Sequence, residues 1–380
     1  AGDGGTWLKG PPEGGGWSRS PHPPRAPSAG CGRAMLGAPV AGALPGMAAA
    51  MASPGAASAQ EVKLSDPLIK SLAVGKVFRD HQSGVTGMDF TYDGLHLVTC
   101  GEDNSVFVYS CERAQRTRHL RCEKYGCSLI KFLHNDKDGA VAASRSETEH
   151  VTKYWDFHEN KYLRLFRGHT GRTLSISPHP YEDMFLSGSE DKSVMLWDLR
   201  VEKPTAKING QGPTIASFDQ QGLVFAACVG RPKVHLFDTR NFAKGEFTCF
   251  DLAPHIRGDD ALARFVQFSP CGKYLLVRTA SQLLLMDAFD GELVCEYPVA
   301  AGAEAAPTGA PPVPSFSPDS QYVISGVAGG DTCVWQTTNA RQVQRLTGHT
   351  SAPTRAAFSP AHALVVTAAE TLAWWIPESA

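Results

Sequence analysis

A recurrence of roughly forty residues constrains this chain more than any other feature of its sequence. Seven times a short apolar run ends on a large side chain: VFVYS at Tyr109, TKYWD at Trp155, VMLWD at Trp197, VHLFD at Phe237, LLLMD at Met286, TCVWQ at Trp335 and LAWWI at Trp375. Successive anchors are 46, 42, 40, 49, 49 and 40 residues apart. A second marker lies 17 to 23 residues upstream of each anchor, where a strand runs into a tight reversal: FTYDG at Phe90, FLHND at Phe132, ISPHP at Ile176, FDQQG at Phe218, FSPCG at Phe268, FSPDS at Phe316 and FSPAH at Phe358. Pro near the start of such a reversal and Gly, Asp or Ser near its end are what the backbone needs there. A repeat unit of this size cannot bury its apolar face alone, so its neighbours must stack on it.

The best-preserved unit spans residues 168–200, GHTGRTLSISPHPYEDMFLSGSEDKSVMLWDLR. A Gly-His opening, alternating strands, a turn at Glu190-Asp191-Lys192 and a Trp-Asp close are the signature of one four-stranded WD-repeat blade. Seven anchors predict an all-β chain, a seven-bladed WD-repeat propeller over residues 62–380. An open ring would leave two strand edges unpaired, and residues 64–78 are placed to supply the missing outer strand of the last blade. Within the third unit His169, Ser187 or Ser189, Asp191 and Trp197 can form a hydrogen-bond chain that ties the inner strands together, a structural role. The seventh unit keeps Gly348-His349, Thr367 and Trp375 but has Glu370 near its turn, and the fifth closes on Met286-Asp287 without Trp.

Residues 1–61 are rich in Gly, Pro, Ala and Ser and lack sustained periodicity, so they are expected to form a disordered tail. Their Arg-containing, acid-poor composition also resembles a transit peptide, and residues 35–59 a weak secretory signal interrupted by prolines. The whole chain carries 36 basic and 38 acidic residues, a net charge of −2. Residues 1–60 hold four of the basic and two of the acidic groups, leaving the ring slightly acidic. That balance argues against a broad phosphate-binding face and hence against direct sequence-specific nucleic-acid binding. Ten cysteines are scattered with no C-x-x-C pair, the pattern of small buried hydrophobes in a reducing compartment. No apolar segment reaches 18 residues, so no membrane span is predicted.

No phosphate loop, nucleophile elbow, dinucleotide fingerprint or paired-histidine zinc motif is present, and no cofactor or metal is called for. His169 and His349 follow Gly at repeat boundaries, where a structural hydrogen bond is the expected use. The acidic pairs Glu102-Asp103, Glu190-Asp191 and Asp259-Asp260 are expected as solvated turn or loop carboxylates. The chain therefore reads as a non-catalytic interaction platform. One sharper interaction signal is Trp197-Asp198-Leu199-Arg200, echoed by Phe237-Asp238-Thr239-Arg240. Trp-Asp-x-Arg resembles the box by which propeller receptors dock onto cullin-RING ubiquitin ligases, which makes Arg200 and Arg240 candidate docking residues; the alternative is an Arg paired with its own Asp.

Several degenerate stretches carry a more specific resemblance: VKLSDPLIKSLAVGKVFRD, EKYGCSLIKFLH, HENKYLRLFRGH, SGSEDKSVMLWDLR, FDQQGLVFAA, LFDTRNFAKGEF and MDAFDGEL. Over residues 62–377 the chain resembles the WD-repeat subunit shared by COMPASS-type histone H3 lysine-4 methyltransferase complexes and the mRNA 3′-end cleavage/polyadenylation and termination machinery. The resemblance implies a nuclear scaffold that binds a methyltransferase subunit and links it to the phosphorylated C-terminal domain of RNA polymerase II, with polyadenylation or phosphatase subunits as further partners. Residues 144–152, 300–314 and 361–371 depart from that family.

Overall fold

The computed structural model describes residues 44–45, 61–134, 136–230, 232–257, 262–299 and 311–378. The expected tail, 1–61, lies outside them save Leu44–Pro45 and Glu61; Leu44–Pro45 pairs antiparallel with Glu61–Val62. Asp259-Asp260 and residues 300–310 also lie outside the described residues.

Seven four-stranded antiparallel sheets follow one another along the chain. The first three blades are Val85–Phe90, His96–Gly101, Ser105–Ser110 and Gln115–Arg121; Leu129–Leu133, Asp136–Ala143, Val151–Asp156 and Lys161–Arg167; and Thr173–Pro178, Met184–Ser189, Ser193–Asp198 and Ala206–Asn209. Blades four and five run from Thr214–Phe218 to Thr248–Asp251 and from Phe265–Phe268 to Leu293–Tyr297. Blade six begins with the two-residue strand Ser315–Phe316 and ends with Gln342–Leu346. Blade seven takes Arg355–Phe358, Val365–Ala368 and Leu372–Pro377 from the C-terminal end and Leu72–Phe78 from the start of the ring. The first strands of neighbouring blades pack against each other at six of the seven junctions, making them the inner ring.

Each anchor falls in a third strand and is buried: Tyr109, Trp155, Trp197, Phe237, Met286, Trp335 and Trp375. Alternation sends successive side chains to opposite faces of a sheet, so each interior belongs to the gap between two blades. Ile176 and Trp197 of blade three pack with Leu133, Val141 and Phe166 of blade two. In blades one, two, five and six the pairing of third and fourth strands slips by one residue at the anchor, between Val108/Tyr109, Tyr154/Trp155, Leu285/Met286 and Val334/Trp335. Such bulges increase local twist, which a ring of splayed blades requires. Of the reversals between first and second strands, Gly222 has φ 69° and Ser320 φ 60°; glycine adopts that left-handed conformation freely, serine at a cost.

Ring closure differs from the sequence expectation in one respect. Only Leu72–Phe78 is a strand, paired antiparallel to Leu372–Pro377 with a slip at Gly75. The first part of the expected strand is a short helix, Asp66–Lys70. Pro67 in the first turn explains it: its fixed φ suits a helix start and its missing N–H would be unsatisfied there anyway. Asp66 accepts hydrogen bonds from Tyr322 and Gln336 and pairs with Arg341, pinning this helix to blade six.

Candidate functional site

In antiparallel blades the fourth-to-first connections and the second-to-third turns share one end of the ring. Over blades one to three these loops enclose an open cleft of about 880 Å³. Its walls are the turn bearing Glu102 and Asn104, the connection 123–128, the loop 145–150, Gly171 and Arg172, and the turn at Glu190. Backbone bonds shape it: Arg145 and Ser146 both donate N–H to Tyr125 O, at 2.9 and 3.1 Å, and Gly126 N–H donates to Cys122 O at 2.8 Å. Arg145 Nη2 donates to Asn104 Oδ1 at 2.9 Å, joining blade two to blade one. Lys124 Nζ sits 4.9 Å from the Tyr125 ring centroid. The lining mixes Lys124, Arg145, Arg172 and His150 with Glu102, Glu123, Glu147 and Glu190. An open cleft with both signs of charge suits an extended polar segment of another protein, and no group of three or more His, Cys, Asp or Glu among the described residues could hold a metal.

The hydrogen-bond chain of blade three stands against this cleft. His169 Nδ1 lies 2.8 Å from Asp191 Oδ2 and Nε2 2.7 Å from Ser187 Oγ, which also receives Trp197 Nε1–H at 2.7 Å. Ser189 instead donates its hydroxyl to Gly171 O. Burial pushes the His169 pKa down more than Asp191 pushes it up. For Asp191 burial raises the pKa, but the Ser193 hydroxyl, the Thr170 N–H and His169 together hold it below the usual carboxylate range. The result fixes Thr170 through its N–H to Asp191 Oδ2, 2.9 Å, beside cleft residues Gly171 and Arg172.

A second such chain escaped the sequence reading. His81 Nε2 lies 2.9 Å from Thr99 Oγ1 and Nδ1 3.1 Å from Asp103 Oδ1, holding the turn that carries Glu102 and Asn104. The intervals are 18 and 22 residues, the same as His169 to Ser187 and to Asp191. That shared spacing was the available signal; Asp80 in place of the preceding Gly, and Tyr109 in place of Trp, hid it. Tyr109 OH donates to Asp80 Oδ2 instead. The expectation of solvated turn carboxylates is corrected for Asp103 and for Asp191, the latter already a candidate member of the third unit's chain: both are buried partners of histidine, with side chains 9% and 5% exposed, because the turn folds them inward. Blade seven has the chain without its acid, His349 Nε2 lying 2.7 Å from Thr367 Oγ1 and Trp375 Nε1–H donating to the same oxygen at 2.8 Å.

Arg200 and Arg240 sit at the opposite end of the ring. Arg200 makes two guanidinium bonds to Asp198, 2.9 and 2.8 Å, and its side chain is 75% exposed. Arg240 donates its backbone N–H to Asp238 Oδ1 at 2.8 Å, and the other Asp238 oxygen is taken by the Asn241 amide. Neither touches the cleft.

The family model described as "WD domain, G-beta repeat" matches residues 73–110 and 160–198. Each match begins in an outer strand and continues through the first three strands of the next blade, so the sequence unit bridges two blades. WD repeat-containing protein 82 of Drosophila melanogaster is 35% identical over 324 residues, covering 84% of this chain and 98% of its own length. COMPASS component SWD2 of Saccharomyces cerevisiae is 28% identical over 312 residues, covering 77% and 90%. Set1 complex component swd2 of Schizosaccharomyces pombe is 30% identical over 266 residues, covering 68% and 72%.

Proposed function

The chain belongs to the WD-repeat family that includes WD repeat-containing protein 82 and COMPASS component SWD2, and on that premise we propose that it is a non-catalytic scaffold subunit of a COMPASS-type histone methyltransferase complex. The observation that carries this reading is likeness along nearly the whole ring to relatives named as COMPASS and Set1 complex components. A rigid ring with a braced polar cleft is suited to holding partners.

The cleft over blades one to three is the proposed seat for a segment of the methyltransferase subunit. A link to the phosphorylated C-terminal domain of RNA polymerase II, partners in 3′-end processing and a nuclear location follow as the finer parts of the proposal. They rest on the family resemblance. The cullin reading gains no support from Arg200, whose guanidinium is occupied by Asp198.

Affinity purification of the full chain with mass spectrometry tests the scaffold reading. Methyltransferase-complex subunits should co-purify, and Arg145→Glu with Arg172→Glu should reduce their recovery by about tenfold or more, as charge reversal at an interface does. Recovery unaffected by the double variant would remove the cleft from the reading. Recovery of cullin-adaptor subunits in place of methyltransferase subunits would overturn the reading itself.

A further inference from the structure

Beneath the cleft lies a fully buried lysine that makes no ion pair with a carboxylate among the described residues. Lys153, in the third strand of blade two, is 0% exposed. Its Nζ is 2.9 Å from Cys122 Sγ and 2.5 Å from Gly126 O. The rings of Tyr162, Tyr125 and Trp155 surround it, with centroids 5.7, 5.8 and 5.9 Å from Nζ. Cys122 is 1% exposed and immediately follows the outer strand of blade one. Its sulfur also contacts Gly126 O at 3.0 Å and Tyr162 OH at 3.2 Å. Burying a charged amine is costly unless it is paired. Here the hydrogen-bond partners of Nζ are the Cys122 thiol and the Gly126 carbonyl, which cation–π contacts supplement.

We propose that Cys122 and Lys153 form a covalent modification site, an N–O–S cross-link joining blade one to blade two under the cleft. The N···S separation of 2.9 Å leaves room for one bridging oxygen with little movement, whereas a direct S–N bond would need the two chains to close further. The oxidant is dioxygen. The thiol S–H and one amine N–H break, S–O and O–N bonds form, and the second oxygen atom leaves as water with the two released hydrogens. Sulfur and nitrogen each give up two electrons, matching the four that dioxygen takes. Thiol reductants reverse the step: four thiols return the free thiol and amine, giving water and two disulfides. A small uncharged oxidant suits a site from which larger charged reagents are excluded. The cross-link would also divert the amine that donates to Gly126 O, and Tyr125 and Gly126 line the cleft.

The test is mass spectrometry on the full chain, kept in dioxygen-saturated buffer or under argon. The oxygenated sample should gain one oxygen and lose two hydrogens. Proteolysis should then yield one species containing both the Cys122 and the Lys153 peptides, which dithiothreitol separates. Cys122→Ser and Lys153→Arg should each abolish that species. This wild-type readout does not depend on how well either variant folds. The proposal is overturned if Cys122 remains fully alkylatable after denaturation of the oxygenated sample, or if the linked partner proves to be Cys100 or Cys127.

Discussion

Blades three and five occupy equivalent places in the ring and are held together by different forces. Blade three ties its inner strands with the His169, Asp191, Ser187 and Trp197 chain. In blade five the strand register puts Val277 where Ser187 stands and Met286 where Trp197 stands. Leu275, Leu276, Leu283, Leu284, Leu285 and Met286 are all fully buried there. A blade therefore needs no polar chain to join the ring. The chain does something else: in blades one and three it clamps the turn after the second strand to the segment before the first, and both turns, with Gly171 and Arg172 ahead of blade three, wall the cleft. Apolar packing makes the ring, and the polar chains shape one end of it.

The largest expected effect tests the packing side. Met286→Ala should destabilise the ring by about 2–5 kcal/mol, the usual cost of emptying a tightly packed core site. Urea denaturation reads it, and a loss below about 1 kcal/mol would mean that blade five is not held by this packing. Asp191→Ala tests the other side. It strands His169 Nδ1 and the Thr170 N–H, so a loss of about 1–3 kcal/mol is expected. Partner recovery should fall with it, because the cleft wall at Arg172 loses its brace. Equal partner loss in Met286→Ala at matched stability would erase the distinction between the two blades.

Blade seven sharpens the comparison because its histidine has no acid. Burial pushes the His349 pKa down to about 4, so the folded state keeps it neutral while the unfolded chain protonates it below about pH 6.5. The unfolded state then binds more protons, and stability falls as pH drops from about 6.5 towards 4. The loss should be roughly 1–2 kcal/mol, allowing for the ring's partial contact with solvent. His349→Gln should make that slope shallower without abolishing it, because burial also pushes His81 and His169 down and their loss has the same sign. In the same window Asp191, whose carboxyl is held low, changes nothing; its contribution disappears only below its ordinary range. An unchanged slope in His349→Gln would place the acid sensitivity elsewhere.

The ring was legible because its determinants are local and repeated: a large anchor, a reversal upstream and a period near forty residues. The all-β architecture and the seven anchors follow from them. The strand limits at Asp66–Lys70 were not, since the apolar run hides the effect of Pro67, which favours a helical turn. The cleft was also illegible. It is assembled from five connections spread from Thr86 to Glu190, and what matters about Arg145 is its reach to Asn104 across the blade boundary. Blade one's chain could have been found from the 18- and 22-residue intervals. Lys153 could not, because nothing in TKYWD says that the lysine faces inward.

The smallest effect concerns a position where blade five stands apart. The residue three beyond the one facing the anchor is small in the other blades: Cys100, Ala143, Gly188, Cys228, Gly326 and Ala368. At Gly188 a side chain would meet Thr214 O of the next blade at 2.5 Å. Blade five has Arg278 there, 2% exposed, with Nε and Nη1 unpartnered and burial pushing its pKa down to about 10. Two residues earlier Leu276, on the same face by strand alternation, packs with Phe316, Val323 and Trp335 of blade six. Arg278 thus points into the seam with blade six, whose first strand is only Ser315–Phe316. An apolar side chain of similar length should fill that seam without stranded donors. Arg278→Met is therefore expected to leave stability unchanged or raise it by about 1–2 kcal/mol, since removing orphaned buried donors recovers their desolvation cost. A loss above about 2 kcal/mol in urea denaturation would show that the guanidinium is satisfied in solution, and blade five would then rely on a polar tie of its own.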